Sequence, residues 1–197
     1  ATHQGQFDLT MFRCIPNMTI GVPRNEHELR NLMYTAQLDN KGPFMIRYPR
    51  GKGILADWKN EMHEIEIGKG EEMRSGSDVA IIGVGPILYT AQKAIERLET
   101  ENSNMKIGLY DLKFLKPMDN ELLHEIGKRY SKIYTIEDGT IIGGVGSAIE
   151  EWMMDNGYQP KIVRLGLPDE FIEHGSQAEL FGMLELDVEG IYKRMHN

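Results

Sequence analysis

The sequence has a single cysteine and no long apolar run. Because Cys14 stands alone among 197 residues, no intrachain disulfide can form and no cluster of thiolates can bind a metal. The longest apolar stretches, such as residues 79–84, are far shorter than the roughly 20 residues that cross a bilayer. The first residues show no charged and apolar leader. We therefore expect no membrane partner and a cytoplasmic location.

Positive charge is also in short supply. The chain has 30 acidic and 22 basic residues, and the resulting formal charge of -8 opposes binding to a phosphate polymer. We therefore expect no nucleic acid partner. The apolar fraction of 41% and the charged fraction of 26% are close to the averages for globular proteins, so the chain should fold around a real core.

Several common cofactor and catalytic motifs are incomplete. Gly83 and Gly85 follow an apolar run as in a dinucleotide-binding loop, but Leu88 stands where that pattern needs its third glycine. No G-x-S-x-G sequence indicates a serine nucleophile. The histidines are His3, His27, His63, His124, His174 and His196. Their spacing shows no helical pair that would favour a zinc site.

The first third of the chain predicts a strand, a helix and a second strand. Residues 18–22 form an apolar run closed by Pro23, and the apolar positions 29, 32, 33 and 36 recur at helical spacing behind Asn25, a candidate N-cap. Residues 44–48 predict the second strand. Two strands flanking one helix indicate a parallel βαβ unit.

The rest of the chain alternates between strand and helix patterns. Strands are predicted at 79–84, 106–109, 133–136 and 161–165, with amphipathic helices between them. This alternation indicates an α/β fold with a mostly parallel sheet flanked by helices. Residues 52–77 lack sustained periodicity, and we expect one edge strand there, near 64–67. We place one unit at 1–55, a linker at 56–76 and a second unit at 77–197.

Two arginines and a glycine run are candidate ligand-binding features. Arg47 and Arg50 follow the second predicted strand, at the end where open sheets bind ligands, and a guanidinium there could clamp a phosphate. An ordinary surface salt bridge is the alternative. Glycines dominate residues 143–147 before a predicted helix, so exposed amides could hold an anion. Equally, the glycines could allow tight packing on a neighbouring subunit or domain.

Six segments together carry a resemblance to a known family. They are residues 2–9, 13–18, 46–51, 111–119, 143–147 and 165–172. In this order they resemble the 1-deoxy-D-xylulose-5-phosphate synthases and, more broadly, the transketolase-like thiamine enzymes. The resemblance implies a transketolase carboxy-terminal domain preceded by a partial βαβ remnant of the pyrimidine-binding domain. Because the chain begins at Ala1 without a methionine, we expect it to be a piece of a longer protein.

The resemblance also implies a reaction and site residues. The family condenses pyruvate with glyceraldehyde 3-phosphate, with loss of carbon dioxide, to supply isoprenoid, thiamine and pyridoxal synthesis. His3 matches the family histidine that faces the reacting carbons, where an imidazole can move protons. Arg50 matches the arginine that holds the acceptor phosphate, and Arg47 is the second candidate. For His174 the resemblance implies no catalytic role, and we expect it to be structural.

The family's cofactors are thiamine diphosphate and Mg²⁺, and the residues that activate and hold them match nothing in this sequence. We therefore expect this chain to bind no cofactor and to be inactive alone, and the complete enzyme to be a homodimer. One alternative is another transketolase-like enzyme, such as a transketolase or the β subunit of a 2-oxo acid dehydrogenase. The other is a non-catalytic dimerisation module.

Overall fold

The computed structural model describes residues 4–55, 57–101 and 104–196, within which the chain forms eight strands and seven helices. The strands are β1 Thr19–Gly21, β2 Phe44–Ile46, β3 Glu71–Arg74, β4 Val79–Gly83, β5 Ile107–Asp111, β6 Phe114–Lys116, β7 Lys132–Thr140 and β8 Lys161–Leu167. The helices are α1 Asp8–Phe12, α2 Glu26–Ala36, α3 Ile87–Thr100, α4 Asn120–Arg129, α5 Val145–Asp155, α6 Gln177–Met183 and α7 Val188–His196. None of the helices in this part of the chain is both long and apolar enough to cross a bilayer.

The predicted βαβ unit is present and forms most of a small sheet. β1 pairs in parallel with β2, and α2 connects them. Asn25 caps α2 as predicted, because its side-chain oxygen accepts a hydrogen bond from the Glu28 amide at 3.1 Å. The third strand, β6, was not predicted, and it pairs antiparallel with β1 from far along the chain.

The larger sheet has five strands in the order β3-β5-β4-β7-β8. The strands β5, β4, β7 and β8 run parallel to one another, which confirms the prediction of a mostly parallel sheet. The prediction of an edge strand near 64–67 was wrong, because the edge strand is β3, antiparallel to β5. Edge strands are commonly charged, and Glu71, Glu72 and Arg74 show none of the apolar alternation that Ile65 and Ile67 display.

Helices cover both faces of the larger sheet, as expected. The predicted apolar stripe of α3 is buried, and it packs with α7 on one face. Apolar side chains of α4 and α5 lie on the other face, in a core that also contains Leu9, Ile20 and Val22. The two sheets are therefore joined through one apolar core as well as through β6.

Candidate functional site

A cavity of about 800 Å³ lies where several strands end. Residues 47–50 line it after β2, Asp138 lines it from β7, and Leu167 lines it at the end of β8. Residues of the segment 4–8 and of the segment 172–184 complete the lining. The carboxyl ends of parallel strands are where open α/β sheets bind ligands, so this cavity is the candidate site.

Arg50 is an exposed side chain that lines this cavity and a neighbouring one of about 320 Å³. Among the described residues it has no hydrogen-bond or ion-pair partner, so its guanidinium is available for a ligand. His3 lies outside the described residues. Gln4, the next residue along the chain, lines the same cavity as Arg50, and its Nε2 donates to the Ile172 carbonyl at 2.8 Å.

Arg47 lies in the same cavity but is already paired. Its Nε is 3.3 Å from Asp8 Oδ2, its Nη1 contacts the Asp138 carboxylate, and its Nη2 donates to the Asp138 carbonyl at 3.1 Å. The side chain is 10% exposed. Burial alone would lower the pKa of Arg47, but the charges of Asp138 and then Asp8 outweigh it and raise the pKa. Arg47 thus joins the first unit to β7, and Arg50 is the unpaired arginine of the two.

The glycine run 143–147 leads into α5, whose first amides are bound by a side chain of the same chain. The amides of Val145 and Gly146 donate to Glu137 Oε2 and Oε1, each at 2.9 Å. An exposed anion site at these amides is therefore wrong, because the carboxyl group of Glu137 already accepts their hydrogen bonds. A Cβ on Gly144 would lie 2.2 Å from Glu137 Oε2, and one on Gly143 would lie 2.9 Å from Thr10 Cγ2. The glycines thus allow tight packing within this chain, including packing against α1.

Glu137 is buried and holds its proton unusually well. Burial raises the pKa of Glu137 from 4.5 to about 7, although the hydrogen bonds from the Gly146 and Val145 amides act in the opposite direction. The neighbouring charge of Asp138 raises this pKa further, and that of Arg47 lowers it. Sequence reasoning missed Glu137 and Asp138. Their position at the carboxyl end of an apolar strand is the signal that could have found them.

A measurable pH dependence follows from Glu137. The folded protein keeps this proton up to about pH 7, whereas an unfolded glutamate releases it near 4.5. The free energy of unfolding should therefore fall as the pH rises from 5 to 7, by on the order of 2 kcal/mol from this group. Urea denaturation at several pH values should show a smaller decrease in the free energy of unfolding for Glu137→Gln than for the unmodified protein.

The matched control for Glu137 is Glu170→Gln, because Glu170 is exposed. Its unfolding free energy should run parallel to that of the unmodified protein across the same range. Asp111 is buried too, and burial raises its pKa to about 7, so some decline will persist in Glu137→Gln. If the free energy of unfolding falls with pH as steeply in Glu137→Gln as in the unmodified protein, Glu137 does not carry this proton.

A second charge network, which is partly buried, lies between the two units. Arg24 Nη2 is 3.0 Å from Glu28 Oε1 and 3.1 Å from Glu71 Oε2, and its Nε is 3.7 Å from Asp111 Oδ2. Lys113 Nζ is 2.7 Å from Glu71 Oε2. Two cations and three carboxyl groups thus lie together, and their contacts fix α2 and β3 to the end of β5.

The described part of the chain contains no group of three or more His, Cys, Asp or Glu side chains arranged to hold a metal ion. Asp8 and Asp138 line the large cavity, and the carboxylates of both are paired with Arg47. This lining does not fit Mg²⁺, and among its described residues Arg50 offers an unpaired guanidinium to a ligand.

Family models match nearly the whole chain. The model for "Transketolase, C-terminal domain" covers residues 68–191, and the model for "Transketolase, pyrimidine binding domain" covers residues 1–53. The chain therefore belongs to the transketolase C-terminal domain family, with part of a pyrimidine-binding domain before it. The boundaries 1–55, 56–76 and 77–197 stay predictions, and β3 falls inside the predicted linker.

Curated relatives confirm the resemblance to the synthases. A 1-deoxy-D-xylulose-5-phosphate synthase of Phocaeicola vulgatus is 57% identical over 192 residues, which are 98% of this chain and 30% of the relative. A protein of the same name from Aquifex aeolicus is 40% identical over 196 residues, which are 100% of this chain and 31% of the relative. The chain thus spans about 30% of the length of the relatives it matches.

Solved structures confirm the fold class. A split-gene transketolase, described as an inactive β4 tetramer, has a TM-score of 0.83 and 29% identity, covering 98% of this chain and 62% of that one. A transketolase of Pichia stipitis has a TM-score of 0.68 at 20% identity, covering 98% of this chain and 27% of that one. The second likeness concerns the fold alone.

Proposed function

We propose that this chain is the carboxy-terminal part of a 1-deoxy-D-xylulose-5-phosphate synthase, a thiamine-diphosphate-dependent transferase. The complete enzyme would condense pyruvate with glyceraldehyde 3-phosphate and release carbon dioxide. The observation that carries the proposal is the 57% identity to a synthase along 98% of this chain. The unpaired Arg50 in a cavity at the strand ends supports it, because a guanidinium binds a phosphate through paired charge-assisted hydrogen bonds.

Each candidate residue has a distinct role in this proposal. Arg50 binds the phosphate of the acceptor, and Arg47 holds the loop that carries Arg50 through its ion pairs to Asp8 and Asp138. His3 moves protons at the reacting carbons, a role that rests on the resemblance alone. Thiamine diphosphate, held with Mg²⁺ by residues outside this chain, would supply the stabilised carbanion chemistry when bound.

The proposal predicts a difference between the complete protein and this chain. The complete protein should form 1-deoxy-D-xylulose 5-phosphate from pyruvate and glyceraldehyde 3-phosphate. This chain alone should show neither that activity nor measurable heat when it is titrated with thiamine diphosphate and Mg²⁺ in a calorimeter. Micromolar cofactor binding by the chain alone would contradict the proposal.

The same assay separates the alternative enzymes. A transketolase would transfer a two-carbon unit from a ketose phosphate, and a 2-oxo acid dehydrogenase β subunit would need its other subunits. Turnover of pyruvate plus glyceraldehyde 3-phosphate by the complete protein alone excludes both.

Association with a second copy is the other part of the proposal. The related split-gene transketolase chain is described as a β4 tetramer, which favours self-association of chains with this fold. Met11 and Met154 are each 62% exposed, and Ile142 is 53% exposed, so apolar surface is available for such a contact. Sedimentation of the complete protein should show a homodimer. The cytoplasmic location stays a prediction.

A further inference from the structure

The segment after β8 forms one wall of the large cavity. It leaves the sheet at Leu167 and reaches α6 at Gln177. Two contacts hold it against the start of the chain. Gln4 Nε2 donates to the Ile172 carbonyl at 2.8 Å, and the rings of Phe7 and Phe171 meet edge to face at 6.0 Å. The wall is therefore anchored against residues 4–7, and it lines the same cavity as residues 47–50.

Polar side chains of this wall line the cavity together with Arg50. His174 and Gln177 are exposed, and among the described residues neither has a side-chain hydrogen bond or ion pair. Gln177 also lines the smaller cavity, so Gln177 and Arg50 each line both cavities. The wall thus places an imidazole and an amide, both hydrogen-bond donors, in the lining that Arg50 shares.

The unpaired donors of the lining, and not its net charge, indicate which ligand suits this cavity. Asp8 and Asp138 share the single cation Arg47, and Glu173 adds one carboxylate from the wall itself. One guanidinium offers at most two parallel hydrogen bonds to a phosphate, whereas a phosphate monoester has three terminal oxygens to satisfy. A dianion in this cavity therefore needs donors beyond Arg50, and His174 and Gln177 are in the lining to provide them.

We propose that His174 and Gln177 complete the binding site for the phosphate of the acceptor aldehyde and so determine the specificity for a phosphorylated acceptor. This inference rests on the proposed function, and it replaces the structural role that the sequence favours for His174. The carboxy-terminal domain would then contribute directly to substrate selection, through a segment that lies more than 100 residues from Arg50 along the chain.

The test compares variants of the complete enzyme with two acceptors, glyceraldehyde 3-phosphate and unphosphorylated glyceraldehyde. His174→Ala and Gln177→Ala should each raise the KM for the phosphorylated acceptor about tenfold, the effect of one hydrogen bond to a charged group. The KM for pyruvate and the kcat/KM for unphosphorylated glyceraldehyde should not change. His174→Gln, which keeps a side-chain N–H donor, should restore the KM to within about threefold.

His196→Ala is the matched control, because His196 is exposed on α7 and does not line the cavity. It should leave all constants unchanged. An unchanged KM for glyceraldehyde 3-phosphate in both alanine variants would overturn the inference alone. So would equal losses with both acceptors, since these would indicate a merely structural role. If the unmodified enzyme does not use pyruvate and glyceraldehyde 3-phosphate at all, the proposed function fails together with the inference.

Discussion

Replacing Arg47 by alanine is expected to lower the free energy of unfolding by roughly 3–5 kcal/mol. The change removes the common cation of Asp8 and Asp138, whose side chains are 25% and 13% exposed. Two carboxylates are then left close together with little water and no counterion, and most of the cost comes from that. Urea denaturation at pH 7, followed by tryptophan fluorescence, measures the loss.

Two comparisons test whether the loss comes from the Arg47 ion pairs. Arg194→Ala removes an arginine whose pair with Glu185 is exposed on both sides, so it should cost less than about 1 kcal/mol. The double variant Arg47→Ala, Asp138→Ala should be less destabilised than the sum of the single variants, because one stranded charge is gone. Strict additivity would mean that Arg47 and Asp138 do not interact.

Arg50→Ala should weaken acceptor binding in the complete enzyme by roughly 1.5–3 kcal/mol, about ten- to a hundredfold in the KM for glyceraldehyde 3-phosphate. The guanidinium has no partner among the described residues, so its loss should leave the unfolding free energy nearly unchanged. Steady-state kinetics with saturating pyruvate measures the first effect, and urea denaturation measures the second.

Arg50→Lys tests whether the phosphate needs the paired hydrogen bonds of a guanidinium or only a positive charge. An ammonium keeps the positive charge but cannot form two parallel hydrogen bonds, so its KM should lie between those of the unmodified enzyme and Arg50→Ala. Arg194→Ala again serves as the distant control and should not change the KM. If Arg50→Ala binds the acceptor as well as the unmodified enzyme, Arg50 does not hold the phosphate.

Local pattern was enough to predict the regular part of the fold. A continuous apolar run identifies β4, largely apolar stretches identify parts of β7 and β8, and the buried stripe of the fourteen-residue α3 repeats at helical spacing. The failures are elements with little local signal. β6 has three residues, and its partner strand β1 lies almost a hundred residues upstream in the sequence. α1 has five residues, and α6 has seven and buries none.

The residue types of the site could be predicted from the sequence, but their ion pairs and hydrogen bonds could not. Two arginines at a strand end indicate an anion, and their pattern alone did not separate Arg47 from Arg50, since only the resemblance ranked Arg50 first. They differ because Asp138, 91 residues away, reaches Arg47 and does not pair with Arg50. The position of Glu137 could have been noticed in the sequence, but its hydrogen bonds could not, because its two backbone partners become close only when α5 packs beside β7. Side-chain pairing of this kind depends on tertiary structure that periodicity does not encode.

The antiparallel pairing of β6 with β1 affects how shortened forms of the protein should behave. A shortened chain starting after residue 55 would retain the family domain at 68–191 and still lose both β1 and β2. Phe114 and Leu115, now 0% and 4% exposed, would then lie on an uncovered strand edge. Such an edge can recruit a strand from another molecule, so the trimmed protein would tend to precipitate, even though its own five-stranded sheet were intact.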